Sequence, residues 1–318
     1  MLKVLITEPK NYSKEAIEIL KSFSQVLLLN DEKNLEKHLP TIDILVLKLN
    51  FHISAALIDK APHLKLIATS TTGLNHIDVD YAHKKGIKIL SLRGHADFLQ
   101  NVYSTAEHTL ALILSLIRQV PWSFQSIKDN KWQRELYYGH EIHGLTLGIL
   151  GYGRLGKIVA AYGQCLGLEV IAYDPYVPKN NFIKNKIRLV KFEDLFRQSD
   201  ILSVHVLLTP ETEKLVKEKH FKLMKPTSFF INTARGEIIE ESALLKALKK
   251  KWIAGAAIDV MANEKPDGSH LKKNALVEYA KKNSNLLITP HLGGATKEAM
   301  VATENFIAQK IKEYVKKI

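Results

Sequence analysis

The sequence predicts an α/β protein of two doubly wound domains, each built on a parallel sheet. Three observations carry that reading. Short apolar runs alternate with helix-like segments over most of the chain, as strands joined by crossover helices require. A length of 318 residues exceeds one typical domain and suits two of roughly 150 residues each. A further strand–turn–helix–strand unit begins only near residue 145, behind a full set of alternating elements.

In the first hundred residues, strands are expected near 2–6, 26–29, 43–49, 64–69 and 87–92. Helical stretches fall between them, such as Ser13 to Phe23, where the Ser13 hydroxyl is placed to cap the first turn. Asn101 to Arg118 reads as one long amphipathic helix, stopped by Pro121, which has no N–H to donate. Leu145-Thr146-Leu147-Gly148-Ile149-Leu150 is short and apolar enough for a buried strand. It runs into Gly151-Tyr152-Gly153-Arg154-Leu155-Gly156, and Lys157 to Cys165 continues as a helix. Leu168 to Asp174 then forms a second strand ending in a carboxylate.

Alone, Gly-x-Gly-x-x-Gly is a weak signal, because chance supplies it in many loops. Here strand, turn, helix and acid stand together. Asp174 follows Gly156 by eighteen positions, near the spacing of about 20 expected of a ribose-binding acid. Gly151 permits the tight turn, Gly153 lets backbone approach a pyrophosphate, and Gly156 allows close helix–strand packing. The helix N-terminus offers free N–H groups and a positive dipole end to phosphates. The Asp174 charge accepts ribose hydroxyls and repels a 2′-phosphate, so the expected cofactor is NAD rather than NADP. A turn that binds nothing is the weaker alternative.

Composition excludes several classes. The net charge of +12 could mark a nucleic-acid binder, but the lysines lie in small scattered groups such as Lys249-Lys250-Lys251 and Lys316-Lys317. No basic stripe interleaved with aromatics appears, so solvated faces account for the charge and no nucleic-acid partner is expected. No apolar run is long enough to cross a bilayer, and Met1 to Glu8 reads as a first strand rather than a signal peptide, so no membrane partner is expected. The single cysteine, Cys165, allows no intrachain disulfide, fits a cytoplasmic location, and reads as a small core residue. No Cys and His stand at metal-ligand spacing. The Lys-rich stretch from Lys265 to Asn285 is the expected exposed excursion, and no appended regulatory module is expected beyond the two domains.

Three polar residues follow apolar runs in the second half. Arg235 follows Phe229-Phe230-Ile231-Asn232-Thr233-Ala234, Glu264 comes shortly after Ala254 to Val260, and His291 follows Leu286-Leu287-Ile288-Thr289-Pro290. Ligands of open α/β sheets bind beyond the carboxyl ends of strands, so these residues are candidates to converge on one ligand. Reducing a 2-keto acid requires holding its carboxylate, polarising its carbonyl and donating a proton. Arg235 offers a planar, permanently charged fork for the first two tasks. His291 can supply the proton, and a neighbouring Glu264 would favour its charged form and fix its orientation. Each residue alone also has a plain structural reading, as a cap, a loop acid or a strand end.

The segments Gly148 to Gly156, Asn232 to Gly236, Asp259-Val260 with Glu264, and Thr289 to Gly294 resemble the D-isomer-specific 2-hydroxyacid dehydrogenases. That family includes D-lactate dehydrogenase, glyoxylate reductase and 3-phosphoglycerate dehydrogenase. Thr71-Thr72-Gly73-Leu74-Asn75-His76-Ile77-Asp78 and Thr105-Ala106-Glu107 extend the resemblance through the first half, in the family's order.

The resemblance implies a flavodoxin-like substrate domain over 1–100 plus 295–318 and a Rossmann NAD-binding domain over 101–294. It implies Arg235, Glu264 and His291 as catalytic residues, and the N–H groups of Thr72 and Gly73 as holders of the substrate carboxylate. Arg154 and Leu155 match the pyrophosphate-facing helix start, with Gly151, Gly153, Gly156 and Asp174 completing that half. Thr233, Ala234, Asp259, Gly293 and Gly294 fall where the family lines the nicotinamide. It also implies a homodimer through residues 101–145 and a cleft that closes over a small anionic 2-hydroxy or 2-keto acid.

Two departures stand out. The family's Glu-Pro pair is here Glu264-Lys265-Pro266, with an extended 27-position stretch to His291. Where phosphoglycerate-specific members carry arginine on a first-domain strand end, this chain has Lys48. That lysine is expected either to hold a phosphate or distal carboxylate or to snorkel to solvent. The expected function is NAD-dependent interconversion of a D-2-hydroxy acid and its 2-keto acid. An NAD(H)-sensing binding module resembling the family's corepressor branch is one alternative, and a phosphonate-type dehydrogenase another. Formate enzymes carry glutamine where Glu264 stands, which argues against that branch.

Overall fold

Five parallel strands form the first sheet: β1 (Leu2–Ile6), β2 (Ser24–Leu28), β3 (Ile44–Leu47), β4 (Leu66–Thr69) and β5 (Lys88–Leu90). Their order is β2-β1-β3-β4-β5, the flavodoxin-like arrangement, with its switch point between β1 and β3. Alternation along these strands divides the core. Leu5, Leu45 and Ile67 face one layer, while Val4, Ile6, Ile44, Val46, Leu66 and Ala68 face the other. Both faces are covered, so β3 and β4 are buried at every position, as parallel strands must be. The helix Lys14–Lys21 is capped by Ser13, whose side chain accepts the Ala16 N–H. The closing helix Lys297–Val315 packs on it and adds Ile307, Ala308 and Ile311 to the second layer.

The second sheet holds β6 (Thr146–Leu150), β7 (Glu169–Tyr173), β8 (Arg188–Leu189), β9 (Ile201–Val204), β10 (Phe229–Asn232), β11 (Gly255–Ile258) and β12 (Leu286–Ile288). Their order is β12-β11-β10-β9-β6-β7-β8, which reverses between β6 and β9 as in a Rossmann sheet. Leu150, Val204, Phe230 and Ile258 face one core layer, and Ile149, Ile201, Ile231 and Ala257 the other. By internal contacts the chain divides into two compact units, Met1–Val102 with Ala295–Ile318, and Tyr103–Gly294. This computed structural model describes residues 1–265 and 267–317; Pro266, part of the displaced Glu-Pro pair, lies outside them. Among the described residues, no helix is long and apolar enough to cross a membrane.

Several expectations need correcting. The long helix spans Ser104–Ile117 rather than starting at Asn101, and Gln119 adopts a left-handed φ of +57° just beyond it. Pro121 does not end that helix. It sits in the first turn of a second helix, Val120–Lys128, where a missing N–H costs nothing. Cys165 ends the helix Arg154–Cys165 and is exposed, not a core residue. The Lys-rich stretch is only partly an excursion, because the helix Ala275–Ala280 buries Leu276 under the second sheet's core.

Candidate active site

The turn after β6 has the shape a dinucleotide needs. Gly151 sits at φ +95°, and a Cβ there would meet the His205 backbone at 2.8 Å. A Cβ on Gly156 would lie 2.1 Å from the Gly151 carbonyl oxygen, so the helix can approach the turn only through glycine. At Gly153 a Cβ would meet nothing within 4 Å. That open space lies at the N-terminus of the helix Arg154–Cys165, whose N-cap residue, Gly153, has no side chain to cap it. Asp174, at the end of β7, accepts the Tyr152 N–H through Oδ2 at 2.8 Å and the Tyr176 N–H through Oδ1 at 2.9 Å. The acid is therefore tied to the turn itself. These features fit an NAD pyrophosphate and ribose.

Three adjacent strand ends of the same sheet carry the remaining candidates. After β10, the Asn232 side chain closes the turn: its Nδ2 donates to the Arg235 carbonyl at 2.9 Å, and its Oδ1 accepts the Ala234 N–H at 3.0 Å. The turn presses on the segment after β11, since a Cβ on Gly236 would lie 2.0 Å from the Met261 carbonyl carbon. Thr233 is buried and bonded to Thr109 at 2.8 Å. Burial lowers the Arg235 guanidinium from its ordinary value, while Glu264 and Glu237 oppose that shift. Such a group still remains charged at physiological pH.

Glu264 and His291 meet. His291 Nδ1 lies 2.6 Å from Glu264 Oε2, and the other carboxylate oxygen accepts the Met261 N–H at 2.8 Å. Burial pushes the Glu264 carboxyl up, but the hydrogen bond and charge of His291, the Met261 N–H and the Arg235 charge outweigh it. The net effect holds Glu264 below its ordinary range. With Nδ1 committed to the carboxylate, His291 has only Nε2 left for proton exchange.

His291 itself has a left-handed φ of +54°, uncommon for a non-glycine residue. Asp259, 1% exposed, pins the turn around it. The Asp259 carboxylate accepts the Thr289 hydroxyl at 2.5 Å and the N–H groups of Leu292 and Gly293, each at 2.8 Å. Its backbone carbonyl takes the His291 N–H, also at 2.8 Å. Gly293 is buried while Gly294 is exposed. Burial raises Asp259, yet His108, Thr289, Leu292 and Gly293 together hold it below its ordinary value of 3.8. A carboxyl depressed by folding stabilises the protein above its unfolded pKa and loses that contribution as pH falls through the folded value. Asp259→Asn is therefore expected to lower the thermal midpoint at neutral pH and to flatten its fall in acid; an unchanged acid limb would contradict this clamp.

In the first unit, the Thr71 hydroxyl donates to the Gly73 carbonyl at 2.8 Å and shapes the loop after β4. Neither the Thr72 nor the Gly73 N–H finds an acceptor among the described residues, which leaves two adjacent donors for an anion. His76 is buried beside Thr69, at 3.4 Å. Lys48 does not snorkel to solvent. Its Nζ lies 2.6 Å from the fully buried Glu304 carboxylate and 5.1 Å from the centre of the Tyr12 ring.

Two polar residues of this region escaped the sequence reading. His108 Nε2 lies 3.1 Å from both Asp259 Oδ1 and Thr289 Oγ1, whereas the neighbouring Glu107 is exposed. The only signal was position, three residues past Thr105 on one helix face. His205, after β9, bonds Ser203 at 2.8 Å, and burial pushes its imidazole down to about 4, so it stays neutral near pH 7.

Comparisons with known proteins place this geometry. Residues 110–293 match the family described as D-isomer specific 2-hydroxyacid dehydrogenase, NAD binding domain. D-3-phosphoglycerate dehydrogenase of Methanocaldococcus jannaschii is 34% identical over 99% of this chain and 58% of its own length. The Bacillus subtilis protein of that name is 33% identical over 99% of this chain and 57% of its own. The chain thus spans little more than half the length of these curated relatives. Among solved structures, D-lactate dehydrogenase from Aquifex aeolicus, complexed with NAD and lactic acid, superposes with a TM-score of 0.83. It is 28% identical, covering 99% of this chain and 95% of that one.

Proposed function

The chain belongs to the D-isomer specific 2-hydroxyacid dehydrogenase family, and on that premise we propose that it interconverts a D-2-hydroxy acid and its 2-keto acid. The observation that carries the reading is the Glu264–His291 pair at 2.6 Å. It stands at the carboxyl end of the sheet whose first strand feeds the glycine turn. NAD supplies the hydride exchange when bound. The chain's own residues do the rest. In reduction, His291 Nε2 gives a proton to the oxygen that was the carbonyl, and the Glu264 carboxylate stabilises the imidazolium beforehand and holds the ring in place. Arg235 holds the substrate carboxylate and strengthens its grip on the oxygen as charge develops there. In the first unit, the Thr72 and Gly73 N–H groups are assigned to a carboxylate oxygen.

On the cofactor side, Gly151, Gly153, Gly156, Arg154 and Leu155 are assigned to the pyrophosphate, and Asp174 to the ribose. Thr233, Ala234, Asp259, Gly293 and Gly294 are assigned to the nicotinamide half. Asp174→Ala is expected to weaken NADH binding at least tenfold and to narrow the preference over NADPH, because the repelling charge is gone. Fluorescence titration of both nucleotides checks this, and an unchanged NADH-to-NADPH ratio would remove the assignment.

Lys48 is a poor candidate for an anionic substrate tail. Drawing it away would strand the buried Glu304 charge, a change that typically costs about 3–5 kcal/mol. We therefore assign the chain substrates with an uncharged tail. The test is NADH oxidation with hydroxypyruvate, glyoxylate, pyruvate, a branched keto acid and phosphohydroxypyruvate. Turnover of an uncharged-tail acid is expected; silence across the panel would sink the reading.

We also assign a homodimer. Phe124, Ile127, Trp132, Leu136 and Tyr138 are all exposed within 101–145, Trp132 to 87%, and such a patch calls for a partner. A second copy is the expected one, giving a native mass twice the 35.9 kDa of one chain. Trp132→Ser with Phe124→Ser should release monomers in sedimentation; a wild-type monomer would contradict the assignment. A cytoplasmic location is proposed on the lone, exposed thiol of Cys165.

A further inference from the structure

We propose that His108 is a positioning residue for His291, acting through Asp259; this rests on the dehydrogenase reading above for its kinetic consequence, though not for its geometry. His291 holds an uncommon backbone conformation, at φ +54°, so something must fix it there. Asp259 does so by accepting bonds from residues 289, 292 and 293, which bracket His291. A carboxylate 1% exposed is held in place only as firmly as its donors hold it.

Three of those donors belong to the turn being positioned, which backbone bonds to Ile258 and Asp259 tie to the end of β11. His108 adds a further donor to the Asp259 side chain. It comes from the helix Ser104–Ile117, outside the turn, and its Nε2 reaches Asp259 Oδ1 and Thr289 Oγ1 at 3.1 Å each. Since the Thr289 hydroxyl gives its proton to Asp259, the Nε2 proton of His108 is shared between the two oxygens. Thr105 and Thr109 lie on the same face of that helix. Thr109 bonds Thr233 on the turn after β10, and a Cβ on Gly293 would lie 3.1 Å from the Thr105 methyl. One polar helix face therefore references both reactive turns, with His108 as the link to His291.

The experiment compares wild type with His108→Ala and His108→Gln, whose amide can restore a donor. It reads kcat, KM, NADH affinity and the ring resonances of His291, assigned against His291→Asn. The expected result for His108→Ala is a fall in kcat of about a hundredfold, the scale of a 1 Å misplacement. KM and NADH affinity should change little, the His291 resonances should shift, and His108→Gln should recover most of both effects. Unshifted His291 resonances would overturn the proposal. So would His108→Gln matching His108→Ala in every readout, which marks a merely structural histidine. If wild type turns over no 2-keto acid while His108→Ala still shifts the His291 resonances, the dehydrogenase reading falls and the positioning role stands.

Discussion

Arg235→Ala is expected to leave a folded, NADH-binding chain whose kcat/KM for 2-keto acids has fallen by about a thousandfold. The reason lies in where the residue stands. Its turn is closed by Asn232 and by Gly236 against the Met261–Ala262 backbone, contacts that do not depend on the guanidinium. Among the described residues its guanidinium donates to the neighbouring Ala234 carbonyl, at 2.7 Å through Nη1, leaving most of the donor fork available to a ligand. The glycine turn assigned to the nucleotide lies after a different strand, β6. Arg235→Lys should not rescue, because an ammonium cannot bond two oxygens in the guanidinium's planar geometry. Steady-state kinetics beside NADH titration checks this. Equal loss of turnover and NADH affinity would remove Arg235 from the substrate.

His291→Asn is the second large effect, a fall in kcat of about 10² to 10⁴-fold with KM little changed. Asparagine tolerates the left-handed backbone at this position, so the turn should survive. The chemistry should not, because an amide neither gives nor takes a proton near neutrality. Glu264→Gln probes the same pair from the other side. Glu264 sits below its ordinary value of 4.5, so its charge is present across the working range, and removing it should lower kcat without removing the proton donor. The loss should be smaller than for His291→Asn. The reverse order would make Glu264 the proton donor and contradict the assigned roles.

The part of this site legible in the sequence was the part written in local spacing. Gly151 and Gly156 announce the turn because only glycine fits there, as at Gly156, where a Cβ would lie 2.1 Å from a carbonyl, while Gly153 keeps the space before the helix open. Arg235 and His291 stood out as polar residues ending apolar runs. The pairing of Glu264 with His291, 27 positions away, was legible only as a convergence of strand ends, to which the family resemblance added the roles, since no local rule fixes a contact across an extended loop. What stayed hidden depends on tertiary placement. Asp259 and His108 are 151 positions apart, and nothing near His108 marks it as facing a carboxylate. Nothing local to Glu304 marks it as the buried partner of Lys48, far away along the chain. Strand β8, two residues long, is too short for periodicity to reveal. Pro121 was misread because the same missing N–H that ends one helix is harmless at the start of the next.

Direct hydride transfer onto the keto carbon should give a single product hand. The measurement is to reduce the preferred keto acid with NADH deuterated at the transferable C4 position, then analyse the 2-hydroxy acid by mass and by chiral separation. One deuterium at C2 in a product of D configuration is the predicted result. Oxidation of the nucleotide without deuterium in the product, or a product of L configuration, would contradict it.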